Sequence, residues 1–369
     1  MELSLLMNEF DVSGRMVTIH PTGNGNVNDT FLAIFRNTFA EEQVILQRIN
    51  RNVFPKPTAI MHNLRQLTAH VHPRLEAEGD QADRVWQMPR IVPTRDGKDF
   101  FVDESGDVWR VITKISSATA FDEAQGTEHA AECGAVLGHF HWLVSDLDTG
   151  TVIDPLPGFH VTPGYLAKYD DMLENEALAE KRMNASMEAR RMAMFIEARR
   201  GFAATLQKAL EDGELKLRMM HGDPKVNNIM IDDYTGKGTA MIDLDTVAPG
   251  LIHYDFGDAL RSICNHVGEE EPNLNKVVFD LDLCQAFCKG YIENARKFLT
   301  DADRKYLYDS IRLITFELGL RFFQDYLAGS VYFKILHPEQ NLNRARVQFR
   351  LCESIESRER MIRGLLDQL

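Results

Sequence analysis

The chain has 369 residues, with 41 Lys and Arg against 55 Asp and Glu, a formal charge of −14. That length exceeds what one core holds comfortably and predicts two lobes. The acidity argues against a broad nucleic-acid-binding face or an anionic membrane surface, and 44% hydrophobic with 26% charged residues suits a soluble globular enzyme.

No apolar run approaches the roughly 20 residues of a membrane span. The first residues, MELSLLMNEFDVSGR, lack the basic and long apolar regions of a secretory leader. The five cysteines (Cys133, Cys264, Cys284, Cys288 and Cys352) form no C-x-x-C. Free thiols and a cytoplasmic location are therefore expected.

In chain order, VTIHPTGNGNVNDTFLAIF reads as strand, Gly-rich turn and strand. QVILQRI is a third strand. PTAIMHNLRQLTAHVHPRLEAEG has helical spacing and ends at Gly79. FFVDESGDVWRVITKI reads as two strands around an acidic Gly turn. A five-stranded antiparallel sheet with one helix is thus expected over roughly residues 17–115. A boundary near TKISSA divides the chain into a lobe of 1–115 and a lobe of 116–369. Nine of the thirteen prolines fall between Pro21 and Pro163, and the stretches 164–223 and 273–337 have none. Helices should dominate there.

The exception lies at 219–258. In MMHGDPKVNNIMIDDYTGKGTAMIDLDT, Asp223 sits in a His-Gly-Asp-Pro turn, and Asn228 follows five residues on. Two apolar strands then form a hairpin ending at Asp243, with Asp245 beyond it. Such a hairpin can bring Asp223, Asn228 and Asp243 to one mouth. Their oxygens suit a base and the ligands of Mg²⁺ beside a phosphate donor. Taken singly, each residue could instead cap a turn or helix. Three other arrangements fail. Asp243-Leu244-Asp245-Thr246 lacks the surroundings of a phosphatase nucleophile. His139 and His141 near Cys133 lack a second pair for zinc, and Asp146 with Asp148 lacks the register of a calcium loop.

The order H-x-D-x-x-x-x-N, then a strand ending in Asp, resembles the protein-kinase-like fold. The form HGDPKVNNIMID…MIDLDT…YDFGD is similar to the aminoglycoside phosphotransferase and choline kinase group. Within that group, GNGNVNDTFL, VILQRINRNVFP, IDLDTVAPG, LGLRFFQDYLAGSVYF and HPEQNLNRAR resemble the anomeric sugar kinases, which phosphorylate N-acetylhexosamines at the 1-hydroxyl. The resemblance implies an α+β, two-lobed fold. Its small antiparallel-sheet lobe would bind ATP, and its larger helical lobe would carry the catalytic hairpin and sugar site. It implies Asp223 as base, also touching the acceptor, and Asn228 and Asp243 as Mg²⁺ ligands. His221 would orient the catalytic loop, with Asp255 and Asp258 anchoring its backbone. Gly23, Gly25 and Asn28 would cover the phosphates. The lysine of the third strand in protein kinases is replaced here by Gln47, with Arg48 on the opposite strand face. Arg321 and Tyr332 match the sugar contacts. Asn26 stands where the sugar 1-kinases carry histidine. Asp325 is a further acceptor candidate, because Glu317, Arg321 and Asp325 form one stripe on an apolar helix. The expected partner is a small-molecule sugar, with no nucleic acid and no membrane, and the chain a monomer or weak homodimer. The rival readings are another kinase of this fold, acting on an aminoglycoside, choline or amino alcohol, and a catalytically silent nucleotide-binding protein.

Overall fold

The computed structural model describes residues 2–23, 27–79 and 84–368. Gly25 and Asn26 lie outside them. A short helix, α1 (Leu3–Met7), precedes strands β1 (Arg15–Pro21), β2 (Asp29–Arg36) and β3 (Glu41–Arg48). Helix α2 (Pro57–Glu78) follows, then β4 (Ile91–Val92), β5 (Phe101–Val102) and β6 (Val108–Thr113). The sheet is antiparallel, ordered β1-β2-β3-β6-β4, and β5 also pairs with β6. It holds one strand more than the five expected. Two-residue β4 is too short to show alternation between the flanking prolines Pro89 and Pro93. Five-residue α1 was invisible for the same reason. Its Leu6 and Met7 nevertheless join Val44, Leu46, Trp109 and Val111 in the sheet's own core.

The helical lobe begins with β7 (Ala118–Ala120) and α3 (Thr127–Leu143). The four helices α4 (Thr162–Asn175), α5 (Ala177–Ala185), α6 (Met187–Glu197) and α7 (Thr205–Glu211) fill the first proline-free stretch. Four short strands come next: β8 (Arg218–Met220), β9 (Ile229–Asp232), β10 (Gly238–Met241) and β11 (Ala248–Gly250). The chain ends with α8 (Ile252–Ile263), α9 (Leu281–Ala295), α10 (Asp301–Lys305), α11 (Leu307–Ala328), α12 (Gln340–Ser357) and α13 (Glu359–Leu366). β9 and β10 form the expected hairpin, extended by β7 on the β9 side, while β8 pairs with β11. No helix of the described residues is long and apolar enough to cross a membrane.

The main core joins α2 to the helical lobe. Ile60, Leu64, Leu67 and Val71 of α2 pack there with Val136 and Phe140 of α3, and with Phe287 and Tyr291 of α9. The α3–α9 crossing is unusually close, because glycines face backbone. A Cβ added at Gly290 would stand 1.9 Å from the Ala131 carbonyl oxygen, and one at Gly134 would stand 2.0 Å from that of Phe287. Backbone cannot yield as a side chain tip can. Gly290→Ala should therefore destabilise the fold by about 1–3 kcal/mol or more, read as a lower midpoint of thermal unfolding. A second core joins α4–α6 to α11 and α12 through Tyr169, Ile196, Phe316, Phe323 and Phe349.

Candidate active site

Two strand pairings assemble the site. β8 delivers the loop 221–228, and the β9–β10 hairpin returns the chain to Asp243 beside it. The Ile242 N–H donates to the Asn228 carbonyl at 2.9 Å, which joins the end of the hairpin to that loop. His221 is fully buried and neutral. Its Nε2–H donates to the Ile242 carbonyl at 2.9 Å, and its Nδ1 accepts the Asp223 N–H at 3.2 Å. Burial holds its pKa below the usual value. It orients the loop, and its assigned tautomer leaves no proton for acid–base work.

Asp255 at the start of α8 receives the N–H of His221 at 2.6 Å and of Gly222 at 2.8 Å, and His141 Nε2–H at 2.8 Å. Burial alone would raise its pKa, but these donors outweigh burial and lower it. Asp255 thus anchors the loop backbone. Asp258 does not: it pairs with Arg261 at 2.8 Å. One helical turn from Asp255, its side chain is taken up by the cation on its own helix.

Asp223 is half-buried at the cleft. Its Oδ2 accepts from Lys225 Nζ at 2.7 Å and from Asn228 Nδ2 at 3.1 Å. Its Oδ1 accepts no hydrogen bond among the described residues and is free for an incoming hydroxyl. Burial opposes the charge of Lys225, yet Asp223 and Asp243 outweigh it and raise the lysine pKa. Sequence reasoning overlooked Lys225, although it lies two residues beyond the base in HGDPK. Asn228 is buried, and its Nδ2 also donates to the Asp223 carbonyl at 2.8 Å. Its Oδ1 is left without a hydrogen bond among the described residues.

Asp243 adopts left-handed backbone, φ 62°, ψ 59°. Its carboxyl pKa is pushed up to about 7, by burial and then by Asp245 and Asp223, against Lys225 and Arg110. The carboxylate nevertheless opens onto the cleft, so solvent softens the burial contribution and the repulsion of its acidic neighbours remains. Crowded carboxylates with an amide oxygen are a hard-oxygen set that a divalent cation would relieve. No cluster of three or more His, Cys, Asp or Glu suited to a metal occurs among the described residues. Mg²⁺ needs no such cage: one or two carboxylates, water and substrate phosphates complete its shell. His139 meets instead Glu78 at 3.0 Å and stacks on Trp86, so it forms no zinc site.

Gln47 does face inward, while Arg48 pairs with Asp29 and Asp107 on the outer face. But both ends of the Gln47 amide are taken. Its Oε1 accepts from Arg110 Nε at 3.0 Å and Nη2 at 2.7 Å, and its Nε2 donates to Thr30 Oγ1 at 3.2 Å. Arg110 of β6 stands in register opposite Gln47 and reaches Asp245 Oδ1 at 2.5 Å. Both charged side chains are nearly inaccessible, at 3% and 2% exposure. A cation therefore does reach this place, from the next strand rather than from β3. The Asn28 side chain is held within the protein. Its Nδ2 donates to Asp245 Oδ2 at 2.7 Å, and its Oδ1 accepts the Asn50 N–H at 3.0 Å. The side chain ties this residue to the helical lobe. Gly23 has the positive φ, 76°, that favours glycine.

Arg321 and Tyr332, the expected acceptor contacts, come together. The Arg321 guanidinium lies 5.0 Å from the Phe159 ring, 5.4 Å from Tyr165, 6.0 Å from Tyr332 and 5.7 Å from Phe333. Among the described residues it has no carboxylate partner and no hydrogen bond. The other members of the stripe serve differently. Glu317 is buried against His160 and Thr162. Asp325 is buried too. Its Oδ1 accepts the N–H of Val331 and Tyr332, and its Oδ2 accepts the N–H of Phe333 and Asn341 Nδ2, all within 3.0 Å. Asp325 thus positions the loop carrying Tyr332 and has no oxygen left for an acceptor.

Residues 18–291 match the model of the phosphotransferase enzyme family that includes the aminoglycoside phosphotransferases. The chain belongs to this family. Three solved structures are similar in fold. An aminoglycoside phosphotransferase from Alicyclobacillus acidocaldarius is 14% identical, with 98% of this chain and 96% of that one covered and a TM-score of 0.57. Choline kinase from Cryptosporidium parvum is 13% identical over 98% and 96%, with a TM-score of 0.55. A spectinomycin phosphotransferase, solved with ADP and spectinomycin, is 13% identical over 100% and 98%, with a TM-score of 0.52. At such identities the likeness establishes the fold alone: an antiparallel-sheet lobe and a helical lobe. In this phosphotransferase, then, the candidate base and candidate oxygen ligands share one segment, and the caged guanidinium is joined to it through Phe159 and His160. Arg110, His160 and Lys225 bond within this group, and sequence reasoning named none of them. Arg110 carried a signal: a lone charge in the apolar strand VWRVI.

Proposed function

We propose that the chain is an ATP- and Mg²⁺-dependent kinase that phosphorylates the anomeric hydroxyl of an N-acetylhexosamine, giving the sugar 1-phosphate and ADP. Asp223 orients the acceptor hydroxyl and takes its proton on the free Oδ1. The anomeric hydroxyl is the most acidic of a sugar, so one carboxylate is chemically sufficient. Asn228 Oδ1 and Asp243 would hold Mg²⁺, which supplies charge neutralisation at the phosphates when bound. Lys225 lies where it can follow the transferred phosphoryl group. ADP in the spectinomycin phosphotransferase structure supports a nucleotide in the cleft.

The observation that carries the acceptor class is the Arg321 cage. Four aromatic rings ordinarily make a site for a cation, but here a guanidinium already fills it. A choline or aminoglycoside cation would meet like charge, whereas sugar hydroxyls and an acetamido carbonyl find donors and ring faces. The cage adjoins the base, because Phe159 covers Arg321 while the next residue, His160, bonds the Gly222 carbonyl.

A screen of MgATP consumption tests this, with phosphorus NMR of the product. N-acetylglucosamine or N-acetylgalactosamine should yield an anomeric phosphate. Kanamycin or choline consuming ATP while both sugars leave it untouched would overturn the sugar reading and favour the rival kinase.

A further inference from the structure

His160 lies on the connector between α3 and α4, 4% exposed, in left-handed backbone at φ 60°. Its Nδ1 is 2.9 Å from Glu317 Oε1, and its Nε2 is 3.0 Å from the Gly222 carbonyl oxygen. The other Glu317 oxygen accepts from Thr162 Oγ1 at 2.6 Å, as a carboxylate does. A neutral imidazole has a single N–H. Here both ring nitrogens face acceptors, and with Glu317 ionised only the doubly protonated ring satisfies both. His221, beside Gly222 on the loop after β8, provides the contrast: one of its nitrogens faces an acceptor and the other a donor.

Groups around the ring agree. Burial opposes its charge, but Glu317 of α11 and the Gly222 carbonyl outweigh burial and Arg321, so its pKa is raised. Tyr254 of α8 stacks on it at 5.5 Å, and Phe159 lies 3.9 Å away. Gly222 precedes the base, and its N–H is held by Asp255. His160 holds the other end of the same residue.

We propose that His160, as an imidazolium clamped between Glu317 and the Gly222 carbonyl, is a positioning residue that ties the acceptor-binding helix to the loop presenting Asp223. Glu317 stands one turn before Arg321, so seating of the acceptor and aim of the base share one buried ion pair. When the ring loses its proton, one acceptor is left facing a bare nitrogen and the loop is released. The charge is held at low and neutral pH and lost as pH rises through the raised pKa, so kcat should fall on the alkaline side. The proposal rests on Asp223 as base.

The test uses the full chain with ¹⁵N-labelled histidine, His160→Asn to assign the ring signal, and Glu317→Gln. Asparagine tolerates left-handed backbone, so His160→Asn retains the turn, and a thermal melt checks it. At pH 7 the His160 ring should carry protons on both nitrogens, and should lose one in Glu317→Gln. With MgATP and N-acetylglucosamine, His160→Asn should lower kcat about 10–100-fold with the KM for ATP within twofold, the size expected of a misaimed base. Glu317→Gln should move the alkaline limb of kcat down by about one pH unit. A singly protonated ring at pH 7, or full kcat in His160→Asn, overturns the proposal. A wild-type chain inert toward this sugar, with a doubly protonated ring, counts against the acceptor reading and leaves the clamp standing.

Discussion

Asp223→Asn should fold as the wild type does and turn over acceptor about 10³-fold more slowly. The fold survives because the amide is isosteric and its oxygen can still accept from Lys225 and Asn228, the two donors that hold Oδ2. Chemistry fails because an amide cannot take the hydroxyl proton. Binding of MgATP should change little, since Asn228 and Asp243 remain. The expected pattern is a collapse of kcat with a near-constant KM for ATP, which separates a lost base from a lost metal site. Full turnover in this variant would remove Asp223 from the reaction. Asp243→Asn should differ: it removes a charged oxygen from the proposed cation site, so a higher Mg²⁺ concentration should be needed for half-maximal activity.

The hairpin and the candidate residues around it were legible because their placement is local. Asp223, Asn228 and Asp243 lie within one short segment, and turn residues with two apolar strands determine how that segment folds. The aromatic–arginine helix was legible by its charged stripe, but only in part. A sequence period says that Glu317, Arg321 and Asp325 share a face. It does not say that Asp325 would meet the backbone of its own following loop, or Glu317 a histidine. The clamp joins residues 157 apart in sequence, and the Gln47–Arg110 contact joins residues 63 apart. Such pairings follow from strand register and helix packing, which only the folded chain provides. His160 was the hardest to see, since nothing in PGFHVT marks a protonated ring.

Arg110 permits stability and nucleotide binding to be separated. Arg110→Met removes one half of a buried ion pair and leaves Asp245 unpaired, two residues from Asp243. Breaking such a pair from one side costs about 3–5 kcal/mol, because a desolvated charge is left uncompensated. The thermal midpoint should fall by roughly 4–7 °C, at about 1.3 °C per kcal/mol for a chain this long. Adding Asp245→Asn removes the stranded charge while Asn28 and the amide can still bond, so the double variant should recover most of the loss. Catalysis should not recover with it. If Arg110 supplies the positive charge that Gln47 cannot, the KM for ATP rises in the single and double variants alike. A double variant no more stable than the single one would show that the ion pair is not what Arg110→Met disrupts. A double variant with restored stability and an unchanged KM would make Arg110 a clasp between the lobes and nothing more.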